Sequence, residues 1–98
     1  MNSFHLTCAA ETDLFEIWTF IADDDIRSAD RLEADLLNAC QRVTQRPELG
    51  HIRRDLTDKP VRFFLVRSNY LLVYDPASNP LTILRVLHGA RDVSVELE

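Results

Sequence analysis

Glycine and proline are scarce, 2 and 4 in 98 residues. That excludes collagen-like and linker-like compositions. No apolar run approaches the roughly 20 residues of a membrane-spanning helix. The opening Met1-Asn2-Ser3-Phe4-His5 has neither a basic region nor a long apolar stretch. No signal peptide and no membrane partner are therefore expected, and the chain is read as cytoplasmic. Cysteine occurs twice, at Cys8 and Cys40, with neither a CxxC pair nor a metal-ligand spacing. Both read as small buried thiols. His5 and Cys8 have no second half-site to complete a zinc tetrahedron, so neither a metal nor a cofactor is expected. Lysine occurs once, at Lys59.

What is present is ordinary for a globular protein: 46% hydrophobic and 28% charged residues. The length fits one domain, 1–98, with a modest core. The net charge of -5 argues against a protein that coats nucleic acid. It hides an asymmetry. Residues 1–48 carry ten acids against four bases, whereas residues 51–91 carry seven bases against three acids. The second half is the one suited to an acidic partner or a polyanion.

Residues 3–7 alternate apolar Phe4 and Leu6 with polar His5 and Thr7, a short strand pattern. Thr7 is placed to cap a helix in which Ala10, Leu14, Ile17, Trp18 and Ile21 recur on one face. Asp23-Asp24-Asp25 ends it. A second helix begins near Arg27 or Ser28, with Ala29, Leu32, Leu36, Cys40 and Val43 as its stripe, and stops before Pro47. So short a link makes the two helices antiparallel neighbours. Residues 61–67 and 70–74 are rich in β-formers around the turn pair Ser68-Asn69, which reads as a hairpin. Leu81 to His88 is a last strand, broken by Gly89. The order β-α-α-β-β-β predicts an α+β domain, with a helical hairpin packed on one face of a small antiparallel sheet. The 3–7 strand belongs at its edge or beside the last strand. The expected core is Ala10, Leu14, Ile17, Trp18, Ile21, Leu32, Leu36, Cys40, Val43, Leu84 and Val86.

The apolar residues of the hairpin occur at both strand parities, yet one helical hairpin covers only one face of a sheet. Phe63 and Leu65 are therefore expected on an open face. A strict two-residue turn puts Leu71 on the opposite face; an irregular hairpin puts it beside them.

Four stretches in this order carry a resemblance: Ala10 to Ala22, including Asp13-Leu14 and Trp18-Thr19-Phe20-Ile21-Ala22; Arg46-Pro47-Glu48-Leu49-Gly50; Arg67 to Tyr74; and Ile83-Leu84-Arg85-Val86-Leu87-His88-Gly89-Ala90-Arg91-Asp92. Together they resemble the RelE/ParE superfamily of toxins from type II toxin–antitoxin pairs, over nearly the whole chain. One branch of that superfamily cleaves mRNA on the ribosome; the ParE-like branch blocks DNA gyrase. The cleaving branch places basic side chains on the hairpin, and a reactive aromatic or basic residue near the C-terminus. Aligned to it, this chain has Phe63, Leu65 and Leu71 at the hairpin positions and no tyrosine after His88. The resemblance therefore implies a ParE-like toxin that inhibits gyrase and is not an enzyme. Its implied partners are gyrase and a cognate antitoxin, a small protein with a DNA-binding N-terminus and an amphipathic C-terminal tail, joined in a hetero-oligomer. The alternatives are a ribosome-dependent mRNA endonuclease and a degenerate toxin that only binds antitoxin. The expected target-binding residues are Arg53, Arg54, Arg85, His88 and Arg91. The expected antitoxin-binding residues are Arg62, Phe63, Leu65, Arg67 and Leu71.

Overall fold

The computed structural model describes residues 3–89. Strand β1 (Phe4–Leu6) leads into helix α1 (Cys8–Ala22), followed by α2 (Ile26–Gln45), a single 3₁₀ turn (Pro47–Leu49), and strands β2 (Arg62–Val66), β3 (Tyr70–Asp75) and β4 (Leu81–His88). Each boundary has a local cause. The Thr7 hydroxyl accepts the Ala10 N–H at 3.0 Å, which starts α1, and donates to the Leu84 carbonyl at 2.8 Å, which ties that start to β4. The Asp25 carboxylate accepts the N–H groups of Arg27 and Ser28, and the Ser28 hydroxyl at 3.0 Å. This cap begins α2 at Ile26, slightly earlier than the sequence pattern suggested. The Ser28 hydroxyl, followed by the Ser28 N–H, holds the Asp25 carboxyl below its ordinary pKa.

The sheet order is β1-β4-β3-β2. Strands β2, β3 and β4 are antiparallel, but β1 runs parallel to β4, with Phe4 opposite Leu81 and Leu6 opposite Ile83. The sheet is thus mixed rather than antiparallel throughout. The reason is connectivity. A strand separated from its neighbour by a whole helical hairpin is free of the reversal that a tight turn imposes.

The helical hairpin covers one face. Ala10 and Leu14 of α1, and Leu32, Leu36, Cys40 and Val43 of α2, pack on Leu72, Tyr74, Ile83 and Val86. Burial pushes the Cys40 thiol up to about 12. Four residues of the expected core are only partly buried: Ile17, Trp18, Ile21 and Leu84. Trp18 lies on the flank of the helix pair, and its indole N–H donates to Asp30 of α2 at 2.9 Å. Leu84 is displaced by an irregularity in the β3–β4 register, where Val73 pairs with Arg85 but Tyr74 with Ile83. It packs on the opposite side of the sheet.

Two polar locks hold the ends of this layer. Beyond β1, the Asp13 carboxylate accepts the Val86 N–H at 2.9 Å and grips Arg85 through Nε at 2.7 Å and Nη2 at 2.9 Å. At the other end the buried Tyr74 hydroxyl accepts the Gly50 N–H at 2.8 Å and donates to the Pro47 carbonyl. The approach is so close that a Cβ at Gly50 would lie 2.5 Å from that hydroxyl. Arg62 completes the lock by donating to the Gly50 carbonyl at 2.8 Å. Burial raises the Tyr74 pKa above its ordinary value, against the lowering effect of the Gly50 N–H.

Candidate partner-binding surface

The face of the sheet turned away from the helices is set by the β2–β3 turn. Val66 pairs with Tyr70, so the loop is Arg67-Ser68-Asn69, three residues rather than two. Arg67 (φ 54) and Ser68 (φ 63) take up left-handed backbone without glycine. The extra turn residue places Phe63 opposite Val73 and Leu65 opposite Leu71, so all four share this second face.

That face is not open along its length. Residues 51–60 fold back beside it, and His51 exchanges two backbone hydrogen bonds with Phe63, each 2.8 Å. Leu56 and Leu84 pack on a second apolar cluster of Val61, Phe63, Leu71, Val73 and Leu87. Phe63 is 2% exposed and Leu71 5%, while Leu65 remains 56% exposed. The expectation that Phe63 lies uncovered is therefore corrected; of the three hairpin positions only Leu65 does. Beside it is a cavity of about 290 Å³ lined by His51, Arg53, Phe63, Leu65, Ser68, Leu71 and Gly89.

The cations around this cavity differ in freedom. Arg53 forms a bidentate pair with Asp55, at 2.9 and 2.7 Å. The pairing raises the Arg53 pKa and lowers that of Asp55. Arg54 and His51 are exposed. His88 does not line the cavity: it lies on the helix side of the sheet, paired across the strands with Tyr70 and stacked on it, ring centroids 4.8 Å apart and 19° from parallel. Among the described residues no group of three or more His, Cys, Asp or Glu could hold a metal ion. No described helix is long and apolar enough to cross a membrane.

The family model for the ParE toxin of type II toxin–antitoxin systems, parDE, matches residues 4–93. The chain belongs to the ParE toxin family. The fold agrees: a solved chain titled "Chromosomal ParDE TA system from P. aeruginosa" superposes with a TM-score of 0.72 at 20% identity, covering 91% of this chain and 97% of that one. No curated protein matches in sequence.

Within this ParE domain the expected site residues separate into groups. Phe63, Leu65 and Leu71 come together on the second face. Arg62 and Arg67 do not join them. Arg62 reaches the Gly50 carbonyl, and Arg67 crosses to Asp35 of α2, its Nε 2.7 Å from the carboxylate. Arg53 lines the same cavity as the apolar three, whereas His88 is on the other side of the sheet against Tyr70. Arg85 is turned to Asp13 of α1. Arg91 lies outside the described residues. Sequence reasoning missed His51 and Ser68 as cavity residues. Nothing in the local sequence places residue 51 opposite residue 63, since that pairing is made by the course of the 46–61 connection. It also missed Asp13 as the partner of Arg85. An acid in the second turn of a helix reads as a dipole partner, and its contact is 72 residues away in sequence.

Proposed function

We propose that this ParE-family chain is a toxin that inhibits DNA gyrase by binding, catalyses no reaction itself, and is neutralised by a cognate antitoxin in a hetero-oligomer in the cytoplasm. The observation that carries this reading is the chemistry of the hairpin's second face. RNA cleavage by a 2′-hydroxyl needs a base for that hydroxyl and cations for the charge that develops on phosphorus. Phe63, Leu65 and Leu71 supply neither. An exposed leucine beside an apolar cavity that His51 and Arg53 also line is chemistry for gripping a protein. The antitoxin, an amphipathic segment with acidic residues, covers the apolar part of this surface, with Arg62 and Arg67 at its margin. Arg53, Arg54, His88 and Arg91 make the contacts with the gyrase–DNA assembly. Arg85, already held by Asp13, shapes that basic end.

The nuclease alternative retains one specific observation in its favour, the exposed His88 imidazole stacked on Tyr70 at the end of β4. A purified supercoiling assay run beside a ribosome-bound mRNA cleavage assay separates the readings. Inhibited supercoiling with intact mRNA is the expected result. Cleavage that depends on His88 replaces this proposal with the nuclease, and silence in both assays leaves an antitoxin-binding domain without a toxic activity.

A further inference from the structure

Phe15, 69% exposed, and Ile26, 59% exposed, stand out from the helical hairpin. Trp18 joins them. It follows Phe15 by three residues on α1, and its indole N–H bonds to Asp30, one turn on from Ile26 on α2. An apolar seam thus runs along the helix pair, outside the core. Its charges are of one sign. Glu11 lies one turn before Phe15 on α1, and Glu33 three residues after Asp30 on α2. The bases of α2 are turned elsewhere. Arg27 is about 100° round the helix from Ile26. Arg31 donates to the Ser28 hydroxyl at 3.2 Å, and Arg42 lies over the Phe64 ring, 5.3 Å from its centroid. Aromatic surface bordered by carboxylates suits an apolar group that arrives with a cation. The chain carries that pair on its opposite side, in the segment His51-Ile52-Arg53-Arg54. Ile52 is 54% exposed. Arg54 is exposed too, and among the described residues no carboxylate pairs with it. The sheet stands between this segment and the helices, so a single copy cannot bring seam and segment together.

We propose that the helical seam of one copy receives the 51–54 segment of a second copy, with Ile52 on Phe15, Trp18 and Ile26, and Arg54 against Glu11, Asp30 and Glu33. Charge selects this occupant. Residues 1–48 carry ten acids against four bases and residues 51–91 seven bases against three acids, so two copies attract head to tail. Seam against seam would oppose carboxylates, and segment against segment would oppose arginines. The contact is therefore heterologous. A copy that gives its segment keeps its seam open, and association continues past two copies unless the rotation closes a ring. One segment in one seam is a small interface, of the weak class below about 1,200 Å², so it forms as free toxin accumulates. The contact itself does not depend on which cellular target the protein has. Its regulatory consequence rests on the reading above, which gives Arg54 to the target: a copy whose segment is seated in another is masked.

The test is sedimentation velocity on the full chain, over concentrations reaching about 1 mM, the range of weak contacts. The average sedimentation coefficient is expected to climb past the dimer value without a plateau, with Trp18 emission shifting in step. It should return to the monomer value as ionic strength rises well beyond about 0.15 M, where the screening length is about 8 Å. Arg54→Glu and Glu33→Arg should each weaken self-association by about tenfold, with helix content by circular dichroism unchanged. If Glu33→Arg disturbs the helix, Glu11→Arg takes its place. Mixing the two variants is the sharpest arm. The intact segment of Glu33→Arg fits the intact seam of Arg54→Glu, so the mixture should form dimers and nothing larger. A monomer at every concentration overturns the proposal, as does a discrete dimer in the unaltered chain. So does self-association that Arg54→Glu leaves untouched, or a mixture that stays monomeric. No partner protein is present, so failure here leaves the gyrase reading standing, and failure of the supercoiling assay leaves this contact standing.

Discussion

The two faces of the sheet are built from equally apolar strands and closed in different ways. On one face two helices, together 35 residues, bury Leu36, Cys40, Val43, Leu72, Tyr74 and Ile83 essentially completely. On the other a connecting segment with a single leucine, Leu56, shelters a smaller cluster and leaves Leu65 and a cavity beside it. The first face stabilises the domain. The second is where the strands keep apolar surface available, at the cost of poorer packing. Strand composition alone does not say which face does which; the covering elements decide.

The largest expected effect that tests this contrast is loss of core volume. Leu36→Ala on the helix side should cost about 2–5 kcal/mol, while Leu71→Ala on the second face should fall nearer the low end, about 2 kcal/mol, because a cavity already lies beside it. Urea unfolding measures both, and equal losses would erase the distinction. Next comes the Tyr74 lock. Tyr74→Phe strands the buried Gly50 N–H and should cost about 1–3 kcal/mol. Gly50→Ala should be worse than Tyr74→Phe, since a Cβ collides with the ring and hydroxyl rather than only removing a bond.

A smaller effect on stability with a large one on binding is expected at Leu65. Leu65→Ser should change unfolding free energy by less than about 0.5 kcal/mol, as surface substitutions do, and should weaken antitoxin binding at least tenfold by calorimetry. Unchanged affinity would move the interface elsewhere. Thiol chemistry separates buried from open regions without altering stability. Cys8, which the sequence pattern places inside, is exposed in the structure and should alkylate in the native protein, whereas Cys40, buried and with its pKa pushed up to about 12, should react only on unfolding. The smallest effect is a pH dependence at the start of α2. The Asp25 carboxyl is held below its unfolded pKa, so its contribution is present above about pH 4 and is lost as pH falls through the lower folded value. Asp25→Ala should flatten that part of the stability–pH curve.

Much of this architecture is legible because local and tertiary preferences agree. The stripe from Ala29 to Val43 has one helical solution, and Thr7 and Asp25 are good caps in the places where caps are needed. The turn is harder to read. Arg67-Ser68-Asn69 adopts positive φ at two residues with no glycine to announce it, so a two-residue and a three-residue turn look alike in sequence, yet they place Leu71 on opposite faces. Trp18 reads as core because it sits on the apolar side of α1, but α2 crosses where Ala10 and Leu14 are buried and leaves the indole at the flank. The candidate surface was half visible. Phe63, Leu65 and Leu71 follow from strand parity and resemblance, whereas the burial of Phe63 and Leu71 depends on where residues 51–60 travel. Arginines such as Arg62, Arg67 and Arg85 look like free surface charge until a carbonyl or carboxylate distant in sequence claims them.

The carboxylate of Asp13 has one more consequence. β1 is three residues long and β4 eight, and their pairing stops at Ile83. Past that point β4 would expose a bare margin, a template on which another chain could polymerise. There the Thr7 N–H and hydroxyl bond to the carbonyls of Ile83 and Leu84, and Asp13 takes up the Val86 N–H. A charged side chain is a poor splice for an incoming strand. Asp13 thus closes that margin to an incoming strand, and Asp13→Val, which also removes the carboxylate that Arg85 and the Val86 N–H hold, is expected to lower solubility on expression together with stability.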